Sequence, residues 1–328
     1  MATAPFREFL TQFPRRKILV FGDIMVDEYI WGTVSRISPE APVPIVEVED
    51  ESIRLGGAAN VVANIRALGA QAELVGVVGA DTMAERLIHE IEQIGVKSDG
   101  IVVDRPRKTT IKTRVVAGGR HVVRFDRECT EELGDELRGK IQDLIQDRLA
   151  HVDALVISDY GKGVVTARLL QEVLPLARSR GVDTAVDPKI NHFGLYRQVS
   201  VLTPNHREAA AAWGQPVRSE AEVIVAGRHL LDSLELQAVL ITRGEKGMSL
   251  LEASGGVTHI PAVAKEVYDV TGAGDTVVGT MALALASRAS MVEAAQLANH
   301  AAGVVVGKRG TATVSLGEIM RSLELQEE

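Results

Sequence analysis

The chain has 328 residues, of which 46% are hydrophobic and 4% aromatic, and this fits one large α/β domain with a substantial core. Its net charge of −8 disfavours general nucleic-acid binding but leaves room for a local basic cluster around an anionic substrate. The single cysteine, Cys129, excludes an intramolecular disulfide and a cysteine-based zinc cluster.

The N-terminal region lacks the features of a secretion signal. The basic residues 15–17 precede only a short apolar run, 18–21, which Asp23 ends, whereas a signal peptide needs a longer apolar core. No uninterrupted apolar stretch approaches the roughly 18 residues of a membrane span. We therefore expect a cytoplasmic protein with neither membrane nor nucleic acid among its partners.

Strand and helix patterns alternate along most of the chain. Residues 17–22 (KILVFG) predict a first buried strand, and 57–69 predict a helix that Gly69 ends. Further strands are predicted at 73–78, 153–157, 182–186 and 238–242, and further helices at 82–94, 131–149, 166–179, 219–233, 275–288, 291–306 and 316–326. This alternation predicts a three-layer α/β/α fold around a mostly parallel sheet.

Two stretches depart from the alternation. Residues 31–55 contain strand-like segments and a proline-rich patch, and residues 107–126 combine β-branched alternation with a Gly118-Gly119 hairpin turn. Both predict short antiparallel strands that project from the main sheet as a small lid; the alternative is that they extend the edge of the main sheet. Since no repeat or long linker interrupts the chain, residues 1–328 are expected to form a single domain with this lid.

The segment from Asp269 to Thr276 (DVTGAGDT) carries the strongest chemical signal. Small residues at 272–274 allow backbone N–H groups to converge at the start of an apolar helix, where the helix dipole also favours an anion. Gly272, Ala273 and Gly274 therefore predict an anion hole for a transferring phosphoryl group. Asp275 is interpreted as the base that accepts the proton of the attacking hydroxyl; the alternative is a helix cap.

Other nucleotide-binding and hydrolase motifs are missing from the sequence. No G-x-x-x-x-G-K-[ST] motif occurs, and Val277 stands where a G-x-G-x-x-G motif would need its third glycine. The first strand is followed by Gly22-Asp23 rather than by the glycine cluster of a dinucleotide-binding fold. A phosphoryl-transfer site at 269–276 is thus favoured over an oxidoreductase site.

Four segments in order resemble the signatures of the ribokinase-like carbohydrate and purine kinase family. They are LGGAAN (55–60), TPNHRE (203–208), TRGEKG (242–247) and DVTGAGDT (269–276), and the resemblance extends from about 17 to 315. The resemblance implies a sheet flanked by helices, a β lid over the sugar, and ATP with Mg²⁺ as cosubstrate and cofactor. A monovalent cation held by Asp269, Thr271 and the 307–313 loop, as in some relatives, remains open.

Within this family, five further segments are similar to the heptose 7-phosphate kinases. They are FGDIMVD (21–27), ISPEAPVPI (37–45), RFDRE (124–128), DYGKG (159–163) and VDPK (186–189). This similarity implies transfer of phosphate from ATP to the C1 hydroxyl of the heptose, for the lipopolysaccharide core. In many bacteria such a domain is fused to a nucleotidyltransferase; a chain of this length is expected to be the stand-alone form without adenylyl transfer. The alternatives are a kinase for another sugar or nucleoside, and an inactive sugar-responsive regulator.

The resemblance also implies roles for individual residues. Sugar-phosphate binding is expected from Asp23, Asp27, Gly56, Gly57, Asn60, Arg114, Arg124, Lys162, Asp187 and Lys189. ATP binding is expected from Asn205, Thr242, Gly244, Gly247, Thr271, Gly272, Gly274, Asn299 and Gly303. Asn205 and Glu208 are expected to bind Mg²⁺ through water, although an ordinary helix start would look the same in sequence.

The lid sequence is strongly basic. Between residues 104 and 127 there are eight lysines and arginines against two aspartates, in a protein that is acidic overall. Protection of an edge strand explains part of this excess. A distal phosphate on the substrate explains it better, and Arg114 and Arg124 are the predicted ligands because arginine offers a forked donor geometry. Apolar alternation in the lid also predicts a homodimer that pairs through it.

Overall fold

The computed structural model describes residues 4–264 and 266–325. Within that part of the chain the central sheet has nine strands in the order β13-β12-β11-β10-β9-β8-β1-β4-β5. These strands are β1 Lys17–Gly22, β4 Gln71–Gly79, β5 Ile101–Asp104, β8 Ala154–Ser158, β9 Asp183–Asp187, β10 Val201–Leu202, β11 Ala238–Thr242, β12 Met248–Glu252 and β13 Val257–Ile260. All neighbours are parallel except β11–β12 and β12–β13.

Helices cover both faces of this sheet. They are α1 Ala4–Gln12, α2 Ala58–Ala67, α3 Thr82–Gln93, α4 Asp135–Arg148, α5 Ala167–Ser179, α6 His206–Trp213, α7 Glu220–Leu234, α8 Ala273–Ala286, α9 Met291–Val305 and α10 Leu316–Glu324. Alternate residues of β1 point to opposite layers: Ile18 and Val20 pack with α2, α8 and α9, whereas Leu19 and Phe21 pack with α4, α5 and α7. The predicted three-layer α/β/α fold is confirmed.

Four further strands form a second sheet, which we call the lid sheet. They are β2 Ile24–Ile37, β3 Pro44–Gly57, β6 Thr110–Ala117 and β7 Arg120–Arg127, in the order β3-β2-β6-β7. The β6–β7 connection is the predicted turn, and Gly118 and Gly119 both have the positive φ that such a turn requires. The two segments thus join in a sheet of their own instead of extending the edge of the main sheet.

The lid sheet departs from the sequence prediction in two respects. Its strands β2 and β3 have 14 residues each, longer than the short strands predicted for 31–55, because their pairing extends inward to Ile24 and Gly57. The central pair, β2 and β6, is parallel instead of antiparallel. Asp27 lies inside β2, in register with Lys112 of β6, and Gly56 and Gly57 end β3 directly before α2.

Several elements of the main fold were not predicted. They are β5, β10, β12, β13, α1 and α6. The strand β10 has two residues and α6 has eight, so neither is long enough to display a clear hydrophobic period. The other helix and strand predictions agree with the structure to within a few residues at each end.

Candidate active site

The carboxyl ends of the parallel strands bring most of the predicted site residues to one edge of the sheet. Asp23 follows β1, Asp159 and Tyr160 follow β8, and Asp187 ends β9. In open α/β sheets the ligand crevice lies at this edge. The helix α8 begins beside it, so that the DVTGAGDT segment faces these carboxylates.

The start of α8 has the geometry of an anion site. Gly272 occupies the N-cap position with φ 80°, and no side chain caps the helix. A side chain there would meet Asn60 at 2.6 Å, so glycine is required for space as well as for conformation. The Ala273 N–H donates to the Val270 carbonyl, whereas those of Gly274 and Asp275 have no acceptor among the described residues. Two backbone donors thus remain for a ligand oxygen.

Asp275 is held by two side chains rather than used as a helix cap. The Tyr160 hydroxyl donates to Asp275 Oδ1 at 2.8 Å, and Asn60 Nδ2 donates to Asp275 Oδ2 at 2.8 Å. Because Gly272 is the N-cap, the capping alternative for Asp275 is wrong. Burial and, to a smaller extent, the Asp27 charge raise the pKa of Asp275 to about 7, against the lowering effect of the two hydrogen bonds and of Lys112. A carboxyl with a pKa near neutral suits a general base.

A second buried network fixes the loop between β8 and α5. Asp23 Oδ2 accepts the N–H groups of Tyr160 and Lys162, at 2.7 and 3.1 Å. Asp159 accepts the Gly161 N–H and the Tyr196 hydroxyl, and its Oδ2 lies 2.7 Å from His192 Nδ1. Burial and the Asp159 charge raise the pKa of Asp23 to about 6. Asp23 Oδ1 is buried without a hydrogen-bond partner among the described residues, which leaves one oxygen for a substrate hydroxyl.

Asp187 and the two predicted lysines lie close to the groups already described. Burial raises the pKa of Asp187, and the charges of Asp275 and Glu208 raise it further, so these carboxylates are close enough to repel one another. Lys162 Nζ pairs with Glu128 Oε2 at 2.6 Å, and the Lys189 side chain lies along Gly161. Their roles in sugar-phosphate binding stay predictions.

The two lid arginines predicted as phosphate ligands each have a carboxylate partner. Arg114 forms a buried ion pair with Asp27, and Arg124 forms one with Asp126 at 2.6 Å on the exposed strand β7. Lys112 pairs in register with Asp27 on one side and Asp126 on the other, so the three side chains share a face of the lid sheet. The Lys112 Nζ lies 4.5 Å from the centroid of the Tyr160 ring.

Other cations of the basic segment stabilise structure. Arg107 is buried; its guanidinium donates to the carbonyls of Lys162 and Glu131, each at 2.7 Å, and pairs with Asp104 at 3.3 Å. This residue therefore ties the 160–163 loop to the segment that follows the lid. Part of the basic excess in the sequence is thus explained by carbonyl binding and not by a substrate anion.

The residues between 205 and 247 that are predicted to bind ATP and Mg²⁺ lie at the start of α6 and in the turn between β11 and β12. Asn205 caps α6 and makes a reciprocal capping box with Glu208, whose Oε2 accepts the Asn205 N–H at 2.8 Å. Thr242 pairs with Asn205 as a parallel bridge, and Gly247 has φ 76°, where a side chain would lie 2.0 Å from the Ile260 carbonyl. Gly244 also has positive φ. The described residues contain no group of three His, Cys, Asp or Glu side chains that could bind a metal directly.

Residues 269–271 and 299–303 are held by contacts within the protein. Asp269 Oδ1 accepts both the N–H and the hydroxyl of Thr271, and its Oδ2 accepts the Gly310 N–H at 3.1 Å. Asn299 Nδ2 donates to the Pro261 carbonyl at 2.8 Å, and Gly303 packs against residues 263–264. Helix packing therefore accounts for Asn299 and Gly303 in this structure, and their contact with adenine stays a prediction.

The pattern of the pfkB family carbohydrate kinases matches residues 15–317. The chain belongs to the pfkB family of carbohydrate kinases. The predicted family and the predicted enzyme class, a sugar kinase, are confirmed.

Curated relatives of this pfkB chain are bifunctional proteins. It is 47% identical to the bifunctional protein HldE of Geobacter metallireducens over 308 residues, which are 94% of this chain and 63% of the relative. It is 44% identical to the HldE of Paramagnetospirillum magneticum over 310 residues, 94% of this chain and 64% of the relative. The chain thus spans slightly less than two thirds of the length of these relatives.

Solved structures share the pfkB fold at low sequence identity. Arabidopsis thaliana ribokinase in complex with ribose and ATP superposes with a TM-score of 0.75 at 17% identity, over 94% of this chain and 99% of that one. Escherichia coli phosphofructokinase-2 superposes with a TM-score of 0.78 at 19% identity, over 95% and 100%. A search of the described residues for a helix long and apolar enough to cross a bilayer found none.

Two residues of the pfkB site were missed by sequence reasoning. Tyr160 lies within the DYGKG segment, but a tyrosine in a loop gives no sign that its hydroxyl will reach a carboxylate 115 residues away. Lys112 was counted in the basic lid but not singled out, because arginine was favoured on geometric grounds. The strand alternation of β6 places Lys112 and Arg114 on one face, and this signal could have raised Lys112 as a candidate.

Proposed function

We propose that the chain phosphorylates the C1 hydroxyl of D-glycero-β-D-manno-heptose 7-phosphate with ATP, giving the 1,7-bisphosphate for the lipopolysaccharide core. The observation that carries the kinase reaction is Asp275, a buried carboxyl with a pKa near neutral beside the unpaired N–H groups at the start of α8. The choice of sugar is supported by the heptose kinase segments of the sequence and by 47% identity to an HldE protein.

In this mechanism Asp275 accepts the proton of the C1 hydroxyl as its oxygen attacks the γ-phosphorus of ATP. The bond between the γ-phosphorus and the β–γ bridging oxygen breaks, and ADP leaves. The N–H groups of Gly274 and Asp275, with the dipole of α8, stabilise the charge that develops on the phosphoryl oxygens. The Asp23 oxygen that has no hydrogen-bond partner among the described residues would accept a hydrogen bond from a sugar hydroxyl.

Recognition of the distal phosphate is assigned to Lys112, with Lys162 beside it. Arg114 and Arg124 are already paired with Asp27 and Asp126, whereas Lys112 forms no salt bridge within residues 4–264 and 266–325. Burial lowers the pKa of Lys112, and the charges of Arg124 and Lys162 also lower it, whereas those of Asp27 and Asp275 raise it. A bound phosphate would supply an anion at salt-bridge distance from Lys112, which has none among the described residues.

The oxygen donors present fit a hydrated divalent cation. Asn205 and Glu208 would hold Mg²⁺ through water, and the repulsion between Asp187 and Glu208 is the kind of environment that a cation relieves. When bound, the ion would neutralise charge on the ATP phosphates. Asp269, Thr271 and Gly310 form a compact cluster of oxygens and N–H groups, but their mutual hydrogen bonds favour a structural role over a monovalent cation site.

We further propose that the protein is a cytoplasmic homodimer that pairs through the lid sheet. The lid sheet exposes apolar side chains that would be covered in such a pair, among them Ile37 at 60%, Val48 at 54% and Val123 at 50% exposure. Light scattering coupled to size-exclusion chromatography would measure the mass, and a monomer at micromolar concentration would contradict the proposal.

The decisive experiment is an ADP-release assay on a panel of sugars and sugar phosphates, with the product identified by ³¹P NMR. The heptose 7-phosphate should react fastest and give a new anomeric phosphate resonance. A preference for an unphosphorylated sugar or a nucleoside would replace the heptose with another acceptor. Absence of ADP release with every acceptor would instead favour an inactive, sugar-responsive regulator.

A further inference from the structure

We propose that Tyr160 is a positioning residue for the base: its hydroxyl holds Asp275 Oδ1 toward the reacting oxygen and favours the ionised carboxylate. This inference rests on the role of Asp275 in the proposed function. The sequence alone gave no sign that Tyr160 has such a role. The hydrogen bond of the Tyr160 hydroxyl and the hydrogen bonds that hold its loop support it.

The two oxygens of Asp275 are held by donors from different parts of the molecule. Asn60, from α2, is itself fixed because Asn64 Nδ2 donates to Asn60 Oδ1 at 3.2 Å one turn later in the helix. Tyr160 approaches from the loop after β8 and donates at 2.8 Å. With both donors in place the carboxylate cannot rotate, so its remaining lone pairs keep one direction. Such fixed orientation is what proton transfer in a crowded site requires.

The Tyr160 loop is held firmly enough to transmit that position. The Tyr160 and Lys162 N–H groups donate to Asp23, and Asp159 binds the Gly161 N–H within the same loop. Asp159 is in turn bound by the Tyr196 hydroxyl at 2.7 Å. From the other side, Arg107 donates to the Lys162 carbonyl at 2.7 Å. The Tyr160 hydroxyl therefore has a defined place before any substrate binds.

The charges around Asp275 explain why a donor is needed there. Asp27 faces it from β2 and Asp187 from β9, and both disfavour a further negative charge. Lys112 faces it from β6 across the Tyr160 ring, and it favours the charge. Burial is the largest cause that raises the pKa of Asp275, and the hydrogen bonds from Asn60 and Tyr160 lower it. Without the Tyr160 hydroxyl, Asp275 would be protonated over a wider pH range and unable to act as the base.

The test is the pH profile of kcat/KM for Tyr160→Phe, which removes the hydroxyl but keeps the ring under Lys112. The acid limb should move to higher pH by roughly one unit. At a pH well below the limb this shift is about a tenfold loss of kcat/KM, and at high pH the activity should recover. The matched control is Tyr268→Phe, which removes the hydroxyl of an exposed tyrosine whose ring lies against Arg309; its acid limb should stay in place. A Tyr160→Phe loss that is equal at every pH would overturn the inference.

A second measurement covers the case in which Tyr160→Phe fails to fold. Replacement of Tyr160 by 3-fluorotyrosine keeps the shape and strengthens the donor, so the acid limb should move to lower pH. The same shifts should appear in the ¹³C carboxyl titration of Asp275 without substrate, with the resonance assigned by its absence in Asp275→Asn. An Asp275 titration that is unchanged in the fluorinated protein contradicts the inference, whereas a correct titration without turnover contradicts only the proposed function.

Discussion

The loop-and-helix side of the site and its lid side differ in how their charged groups are partnered. Asp275 has donors on both carboxylate oxygens, and the loop beside it is pinned through Asp23 and Asp159. On the lid sheet, Lys112 is half-buried and forms no salt bridge within the described part of the chain. The comparison indicates that protein donors already hold the carboxylates of the loop-and-helix side, whereas Lys112 on the lid side is left without a carboxylate partner, as the proposed binding of an anionic ligand would require.

The largest expected effect is a loss of kcat from a substitution on the loop-and-helix side of the site. Asp275→Asn should lower kcat by about 10²–10⁴-fold, because asparagine cannot accept the hydroxyl proton. ATP binding should be nearly unchanged, since the N–H groups at the start of α8 remain. Steady-state kinetics and nucleotide titration would measure the two quantities. Retention of a tenth of the activity would show that another group is the base.

The loop between β8 and α5 should be important for the loop-and-helix side of the site, and a substitution of Gly163 tests this. Gly163 has φ 79°, and a side chain there would lie 1.9 Å from the Glu131 carbonyl, so Gly163→Ala should cost several kcal/mol, on the order of 3 or more. The control is Gly181→Ala, where φ is 67° but nothing lies within 4 Å, and where about 1 kcal/mol of conformational strain is expected. Urea unfolding would measure both. Equal losses would mean that the loop relaxes away from residue 131.

On the lid side the expected effect is on the discrimination between phosphorylated and unphosphorylated sugars, not on the rate of the chemical step. Lys112→Met should raise KM for a sugar phosphate by about tenfold or more and leave KM for the unphosphorylated sugar nearly unchanged. The matched control is Arg120→Met, a lid cation on the exposed end of β7, for which neither KM should change. If Lys112→Met weakens both sugars equally, Lys112 does not bind the distal phosphate.

The loop-and-helix side of the site could be predicted from the sequence much better than the lid side. The main-sheet strands with long apolar runs and the glycine-rich start of α8 are local features, so 17–22, 238–242 and Gly272 could be located from spacing alone. The pairing of β2 with β6 joins residues more than 80 positions apart, and nothing in either strand specifies a parallel register. The ion pair of Arg114 with Asp27 and the place of Lys112 beside Asp27 depend on that register, which is why the phosphate ligands could not be chosen from composition.

The smallest effect is a stability gain that comes at the cost of activity. The pKa of Asp275 is raised from 3.8 to about 7, so the folded state binds an extra proton between about pH 4 and 7, and its stability falls as pH rises through that window. Asparagine can accept from Asn60 and donate to the Tyr160 hydroxyl, so Asp275→Asn removes the buried charge without stranding either partner. It should raise the free energy of unfolding by about 1–2 kcal/mol at pH 8 and by nearly nothing at pH 4. Thermal unfolding at both pH values would measure this, with the exposed Asp50→Asn as the control. A variant that is less stable than wild type at pH 8 would mean that the ionised carboxylate stabilises the fold as well as serving the reaction.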